Sequence, residues 1–138
     1  MEKVFLSLLN FVVIDFDIFC LHFDSIGIIF VHIGSDDGSL SAAEKVVEEI
    51  KAAGGEAMAN GASVTDVAQV EEMVKQTMDA YGRIDILINN AGILRDKSFS
   101  KVTDEDFRMV LEVHLMGTVN CTKAVWEIMK EQNYGRII

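Results

Sequence analysis

Two adjacent amides, Asn89 and Asn90, are where this chain first offers chemistry. They end the apolar run Ile84-Asp85-Ile86-Leu87-Ile88 and are followed at once by Ala91-Gly92. A short stretch with four branched aliphatics suits a strand buried on both faces, as in a parallel sheet. Ligands of such sheets bind in the crevice beyond the carboxyl ends of the strands. Amides at that end can hold the sheet edge and meet a ligand, and Gly92 lets backbone approach without a Cβ in the way. The same four residues also read as a plain strand ending in an Asn-Gly-type turn, so the surrounding elements decide between the two.

Other chemistry-bearing residues are sparse. His32 stands near the carboxyl end of an apolar stretch, Ile28–Ile33, and a lone histidine there is more often an ordinary strand-end side chain. Cys20 and Cys121 are 101 positions apart, with no CxxC and no histidine at ligand spacing. Neither a disulfide framework nor a metal site is expected, and a reducing compartment is the default. The net charge of −10 argues against binding to nucleic acid or to an anionic membrane, both of which need clustered Lys and Arg.

The chain is long enough, at 138 residues, for one domain with a sizeable core. Its composition is uneven: six of the eight phenylalanines occur by residue 30, while charge gathers after residue 35, and proline is absent. Two unlike pieces are therefore read, 1–35 and 36–138. In the first, Val4–Ile14 is uncharged but well short of the roughly 20 residues that span a bilayer. Asp15, Asp17 and Asp24 interrupt the residues beyond it, and no small-residue cleavage site is evident, so neither a membrane anchor nor a secretion signal is expected. Strands are expected near 11–19 and at 28–33. No glycine-rich phosphate turn occurs in this piece, which holds only Gly27 and Gly34.

The second piece is patterned. Ser41 and Glu44 form a capping box before Val46, Val47, Ile50 and Ala53, and Gly54-Gly55 stops that helix. A strand around Ala57–Ala59 follows. Thr65-Asp66 caps a second helix with one stripe of Val67, Val70, Met73, Val74 and Met78, ended by Gly82. After the strand Ile84–Ile88, three acids, Asp104, Glu105 and Asp106, suit a helix amino terminus. Apolar and small residues from Phe107 to Met129 then keep a 3–4 spacing over about 26 residues, longer than the roughly 8–20 usual for a globular helix. Gly135 breaks it, and Arg136-Ile137-Ile138 opens another strand. This alternation predicts an α/β fold: a doubly wound parallel sheet, Rossmann-like and three-layered, incomplete at both ends.

INNAG at 88–92, AYGRID at 80–85, VHLMG at 113–117 and YGRII at 134–138 together resemble the short-chain dehydrogenase/reductase family. GSLSAAEKVVEEIKAAGG, NNAGILRDKSF and VHLMGT are similar to one branch, the (3R)-hydroxyacyl-CoA dehydrogenase domains of type 2 peroxisomal multifunctional enzymes and their bacterial relatives. The resemblance covers residues 36–138. It implies that Asn90, Ala91 and Gly92 run beneath the adenosine and ribose of NAD or NADP, and that Val113 packs near the adenine. Ala62-Ser63 stands where the family usually has an Asp and a neighbour; Ala62 has no carboxylate for the adenine amine, which leaves the backbone or hydroxyl of Ser63. His32 takes the place of the acidic residue that holds the NAD ribose. His114 occupies the position of the catalytic asparagine, as it does in this branch, where the residue supports a proton relay; the bland reading is a helix histidine packed against the sheet.

The resemblance also implies residues that this chain lacks. The family uses a tyrosine as acid/base with a lysine four positions on, and a serine to orient the carbonyl. Tyr81 is followed at +4 by Asp85 and Tyr134 by Ile138, and no serine follows Ser100. The expectation is a fragment of an NAD(P)-dependent oxidoreductase, inactive alone, whose parent acts on 3-hydroxyacyl-CoA-like alcohols or ketones in the cytoplasm or peroxisome. The rival reading is a non-catalytic module that pairs with a copy or a full-length relative through helices around 65–81 and 103–132. A flavodoxin-like or receiver domain shares the layer pattern but gives no reason for NNAG or VHLMG.

Overall fold

The computed structural model describes residues 11–15, 27–31, 40–52, 54 and 56–138. Cys20, His32 and most of the 1–35 piece, including the carboxyl ends of both strands expected there, lie outside the described residues. Five strands form one sheet: β1 (Phe11–Asp15), β2 (Gly27–Val31), β3 (Glu56–Asn60), β4 (Ile86–Asn89) and β5 (Arg136–Ile137), in the order β3-β1-β2-β4-β5. β2, β4 and β5 are parallel, with Ile29 opposite Leu87 and Leu87 opposite Ile137. β1 runs against both neighbours, so β3 is parallel to β2. The all-parallel expectation therefore holds for four strands and not for β1. The eleven residues between β1 and β2 suit an antiparallel return, since a parallel crossover takes a dozen or more.

The helices are α1 (Leu40–Ala52), α2 (Val67–Tyr81), α3 (Asp104–Leu111) and α4 (Gly117–Glu131), with one π-helical turn, Glu112–Met116, joining the last two. Alternation along β3 shows the layering. Ala57 and Ala59 pack on Val46, Val47 and Ile50 of α1, whereas Met58 faces the cluster built from α2, β4 and α4. Ile84 and Leu87 are fully buried at the centre of that cluster; each side chain out of water contributes roughly 2–3 kcal/mol. Among the described residues no helix is long and apolar enough to cross a membrane.

The helix ends follow local chemistry. Asp66 accepts from the Ala68 and Gln69 amides, and Gly82, at φ 75°, ends α2 in the left-handed conformation. Thr103 and Asp106 close a reciprocal capping box on α3. Two expectations shift. α1 already includes Leu40, which places Ser41 inside its first turn. The reversal after α4 comes at Asn133, with φ 54°, ahead of Gly135; asparagine tolerates this conformation better than other branched side chains.

The long apolar stripe is also divided. α3 buries no side chain, and Phe107 and Leu111 lie 56% and 42% exposed. The core face is carried instead by Val113, Gly117, Cys121, Val125 and Met129. The π turn inserts a residue between these two halves and rotates one face away from the other. Gln132 then ties the end of α4 to the sheet, accepting from the Ile84 amide at 3.0 Å and donating to the Ile84 carbonyl at 2.7 Å. Beside it, Arg83 grips the buried carboxylate of Asp85 with two 2.7 Å hydrogen bonds.

Candidate functional site

Because β2, β3, β4 and β5 share one direction, their carboxyl ends open at one edge. Two loops gather there, residues 61–66 after β3 and residues 90–93 after β4. The run from the π turn into α4 supports both. Gly117 lies so close to Val64 that a Cβ at 117 would sit 2.6 Å from a Val64 methyl. Asn120 donates to the Val64 carbonyl at 3.0 Å. On the other loop, Nε2 of His114 is 3.0 Å from both the amide and the carbonyl of Ile93. A neutral ring nitrogen serves one of these at a time, accepting or donating according to tautomer. Gly92 passes so near the ring that a Cβ there would be 2.7 Å from Cε1.

Each residue singled out from the sequence has a definite place in this edge. Asn90 is exposed at the tip of β4, and Ala91 packs partly on the core. Val113 is buried among the core side chains behind these loops. His114 is exposed and clamps the 90–93 loop, so it is not the sheet-buried histidine of the bland reading. Its carbonyl, within the π turn, accepts from the Thr118 hydroxyl at 2.7 Å. The buried Oδ1 of Asn89 has no hydrogen-bond partner among the described residues. A buried acceptor left in this state favours a donor arriving from outside the described structure.

Ser63 differs from its expectation of free polar groups. Its amide donates to Gln69 Oε1 at 2.9 Å, and its hydroxyl lies 2.9 Å from the Thr65 hydroxyl. The loop is further fixed by Asn60, which accepts from the Ala62 amide and donates to Gln76. Gln69 escaped the sequence reading. The available signal was Asp66-x-x-Gln69, a helix-cap pattern whose third residue reaches back over the first turn. Cys121, nearby in the core, has its thiol pushed up to about 11 by burial, which makes it a packing residue.

A sheet edge of this kind, reached by an Asn-Asn-Ala-Gly loop, defines a class. The short chain dehydrogenase family model matches residues 30–138, and the chain belongs to that family. Its members are oxidoreductases that use NAD(P). The chain is 53% identical over 98 residues to the peroxisomal multifunctional enzyme type 2 of Mus musculus, covering 71% of this chain and 13% of that protein. It is 54% identical over 107 residues to the peroxisomal multifunctional enzyme A of Dictyostelium discoideum, covering 78% and 23%. A 3-oxoacyl-[acyl-carrier-protein] reductase of Synechocystis is 46% identical over 100 residues, covering 72% and 40%. A crystal structure of a short chain dehydrogenase from Mycobacterium avium superposes with a TM-score of 0.63 at 37% identity, covering 70% of this chain and 36% of that one. The chain thus spans well under half the length of each.

The residues present fit the adenosine end of a nicotinamide cofactor. The Asn90–Gly92 loop is held by His114 at Ile93, and the buried Oδ1 of Asn89 has no partner among the described residues. The sequence holds no glycine-rich turn for the pyrophosphate and no Tyr-x-x-x-Lys for the reacting end.

Proposed function

We propose that this chain carries the adenosine-binding part of an NAD(P)-dependent dehydrogenase domain. Its parent would act on 3-hydroxyacyl-CoA-like alcohols or ketones. The observation that carries this reading is the Asn90–Gly92 loop, set at the carboxyl edge of the parallel strands and clamped at Ile93 by His114. The name of the Synechocystis relative, a 3-oxoacyl-[acyl-carrier-protein] reductase, supports a 3-oxoacyl-type substrate, and the names of the multifunctional relatives support a peroxisomal setting, with the cytoplasm as the alternative. When bound, the cofactor supplies hydride exchange with a carbinol carbon. This chain's own part is to seat it: Asn90, Ala91 and Gly92 form the floor, Val113 backs that floor from the core, and Ser63 borders it. His114 orients the floor through Ile93 and, standing at the position of the family's catalytic asparagine, would support the proton relay of a complete domain. With no Tyr-x-x-x-Lys, the chain has no tyrosine paired with a lysine to exchange the hydroxyl proton.

The test has two parts. Purified chain is assayed with NADH and a 3-oxoacyl-CoA, and separately titrated with ADP-ribose while its backbone amides are followed by NMR. No turnover is expected, together with shifts confined to Ser63 and 90–93. A rate well above background would overturn the inactive reading; silence of those amides at millimolar ligand would overturn the cofactor reading.

A second reading is favoured by Phe107, Leu111 and Leu115, which repeat every fourth residue and are 56%, 42% and 55% exposed. An apolar row of this kind on one helical face suits pairing with the same face of another copy. The surfaces concerned are α2 and the run of α3, the π turn and α4, which replace the expected helices 65–81 and 103–132. Sedimentation showing only monomer, alone and with a full-length relative, would exclude it.

A further inference from the structure

The polar groups of the β3–α2 loop are satisfied within the loop and the first turn of α2. Ser63 donates its amide to Gln69 Oε1 at 2.9 Å, and its carbonyl accepts from the Asp66 amide at 3.1 Å. Its hydroxyl faces Thr65 at 2.9 Å. Gln69 is held at its other end, with Nε2 donating to Asp66 Oδ2 at 2.9 Å. Asp66 meanwhile caps α2 through its other oxygen, accepting from the Ala68 and Gln69 amides at 3.0 and 3.2 Å. Hydrogen bonds to Gln69 and Ala68 hold the Asp66 carboxyl below its ordinary value, so it remains a charged acceptor near neutral pH.

Gln69 is exposed, while its neighbours Val64 and Val70 are buried. Its amide can leave Ser63 for water without disturbing the core, and the Asp66 cap survives that movement. We propose that Gln69 is a latch on the adenine-reading edge: its side-chain oxygen occupies the Ser63 amide, and an adenine nucleotide binds there only when Gln69 swings out. The proposal rests on the cofactor reading, and adds to it a residue that regulates the same edge. An adenine ring nitrogen is an acceptor and competes for the Ser63 amide on equal terms with Oε1. Hypoxanthine carries a proton on the equivalent ring nitrogen, N1, so it loses this acceptor and gains from an open latch only through its off-line O6 carbonyl. A single neutral hydrogen bond of ordinary net strength, closed in the free protein, weakens apparent affinity by about 3–10-fold.

The experiment is a titration of ADP-ribose and of its hypoxanthine analogue into wild type, Gln69→Ala and Gln69→Met, followed by amide NMR. Methionine keeps the length of the side chain and removes its amide, so it reports the same effect should alanine disturb α2. Both variants are expected to bind ADP-ribose about 3–10-fold more tightly, with a larger shift at Ser63, and to give the hypoxanthine analogue a smaller gain. Equal affinity of wild type and variants for ADP-ribose, with 90–93 responding, would overturn the latch and leave the cofactor reading standing. An equal gain for both ligands would also overturn it, because the effect would then not be base reading. Silence at both 63 and 90–93 in every variant would remove the cofactor reading and the latch together.

Discussion

Gly117→Ala is the sharpest probe of how the two loops are supported. In a free helix, alanine is favoured over glycine by about 1 kcal/mol. Here the added methyl would sit 2.6 Å from Val64 Cγ2 and 3.1 Å from its Cβ, where carbon atoms prefer roughly 3.5–4.0 Å. Val64 is 1% exposed, and its carbonyl holds Asn120, so it has little room to retreat. Overpacking of this sort costs about 1–3 kcal/mol, and a clash with a stiff β-branched neighbour belongs at the upper end. The net expectation is a loss of about 2 kcal/mol. In urea, with a slope of roughly 2 kcal/mol/M, the midpoint falls by about 1 M at unchanged slope. Val64→Ala alone should also destabilise, by roughly 2 kcal/mol. In the double variant the two changes offset, with at least about 1 kcal/mol of coupling. A Gly117→Ala protein as stable as wild type, or a double variant that is simply additive, would refute the close approach of α4 to the β3–α2 loop.

Three further outcomes are expected from the same geometry. Gly92→Ala pushes the exposed His114 ring off Ile93 and costs about 1 kcal/mol; a changed His114 ring-nitrogen signal and faster exchange of the Ile93 amide are expected, and unchanged values for both would count against the clamp. Arg83→Met removes the bidentate partner of the buried Asp85 carboxylate and lowers stability by roughly 3 kcal/mol, while adding Asp85→Leu recovers much of it; denaturant unfolding reads both. Asp106 is pulled down to about 2, first by its hydrogen bond from Lys97 and then by Thr103. A lowered carboxylate stabilises the folded state above its ordinary value, and the contribution is lost as pH falls through about 2. Lys97→Ala should raise the Asp106 midpoint in a carboxyl-carbon titration, and an unmoved midpoint would show that Lys97 does not hold it.

Much of this architecture was legible because it is local. Asp66, Gly82 and the acids Asp104–Asp106 act within four residues of where they stand, so composition and spacing reveal them, although the reciprocal Thr103–Asp106 box itself went unread. Ile84 to Ile88 announces a buried strand by its branched side chains alone. The direction of β1 was not legible, because it depends on which strands accept it as a neighbour. The π turn at 112–116 was hidden for a related reason: apolar spacing continues through it, and only packing shows that Phe107 and Val113 face different ways. At the candidate site, Asn90–Gly92 stood out by residue type. The clamp from His114 to Ile93 and the bond from Gln69 to Ser63 join residues that the sequence keeps 21 and 6 positions apart. Side-chain reach across a fold leaves little periodic trace.

The pairing of β4 with β5 has a consequence for how the chain assembles. Ile86 meets Arg136 across 50 positions, whereas Asp15 meets Gly27 across only 12. Closing the longer loop costs about 1 kcal/mol more in chain entropy before any contact repays it. Only two residues of β5 pair in return, and the fork of Gln132 on Ile84 must be made over nearly the same span. Contacts so distant in sequence are slow to form. The β2–β4 pairing spans still more, 58 positions from Ile28 to Ile86, so both pairings of β4 close late; β5, held by two paired residues against four between β2 and β4, is the more readily released of the two when the sheet frays.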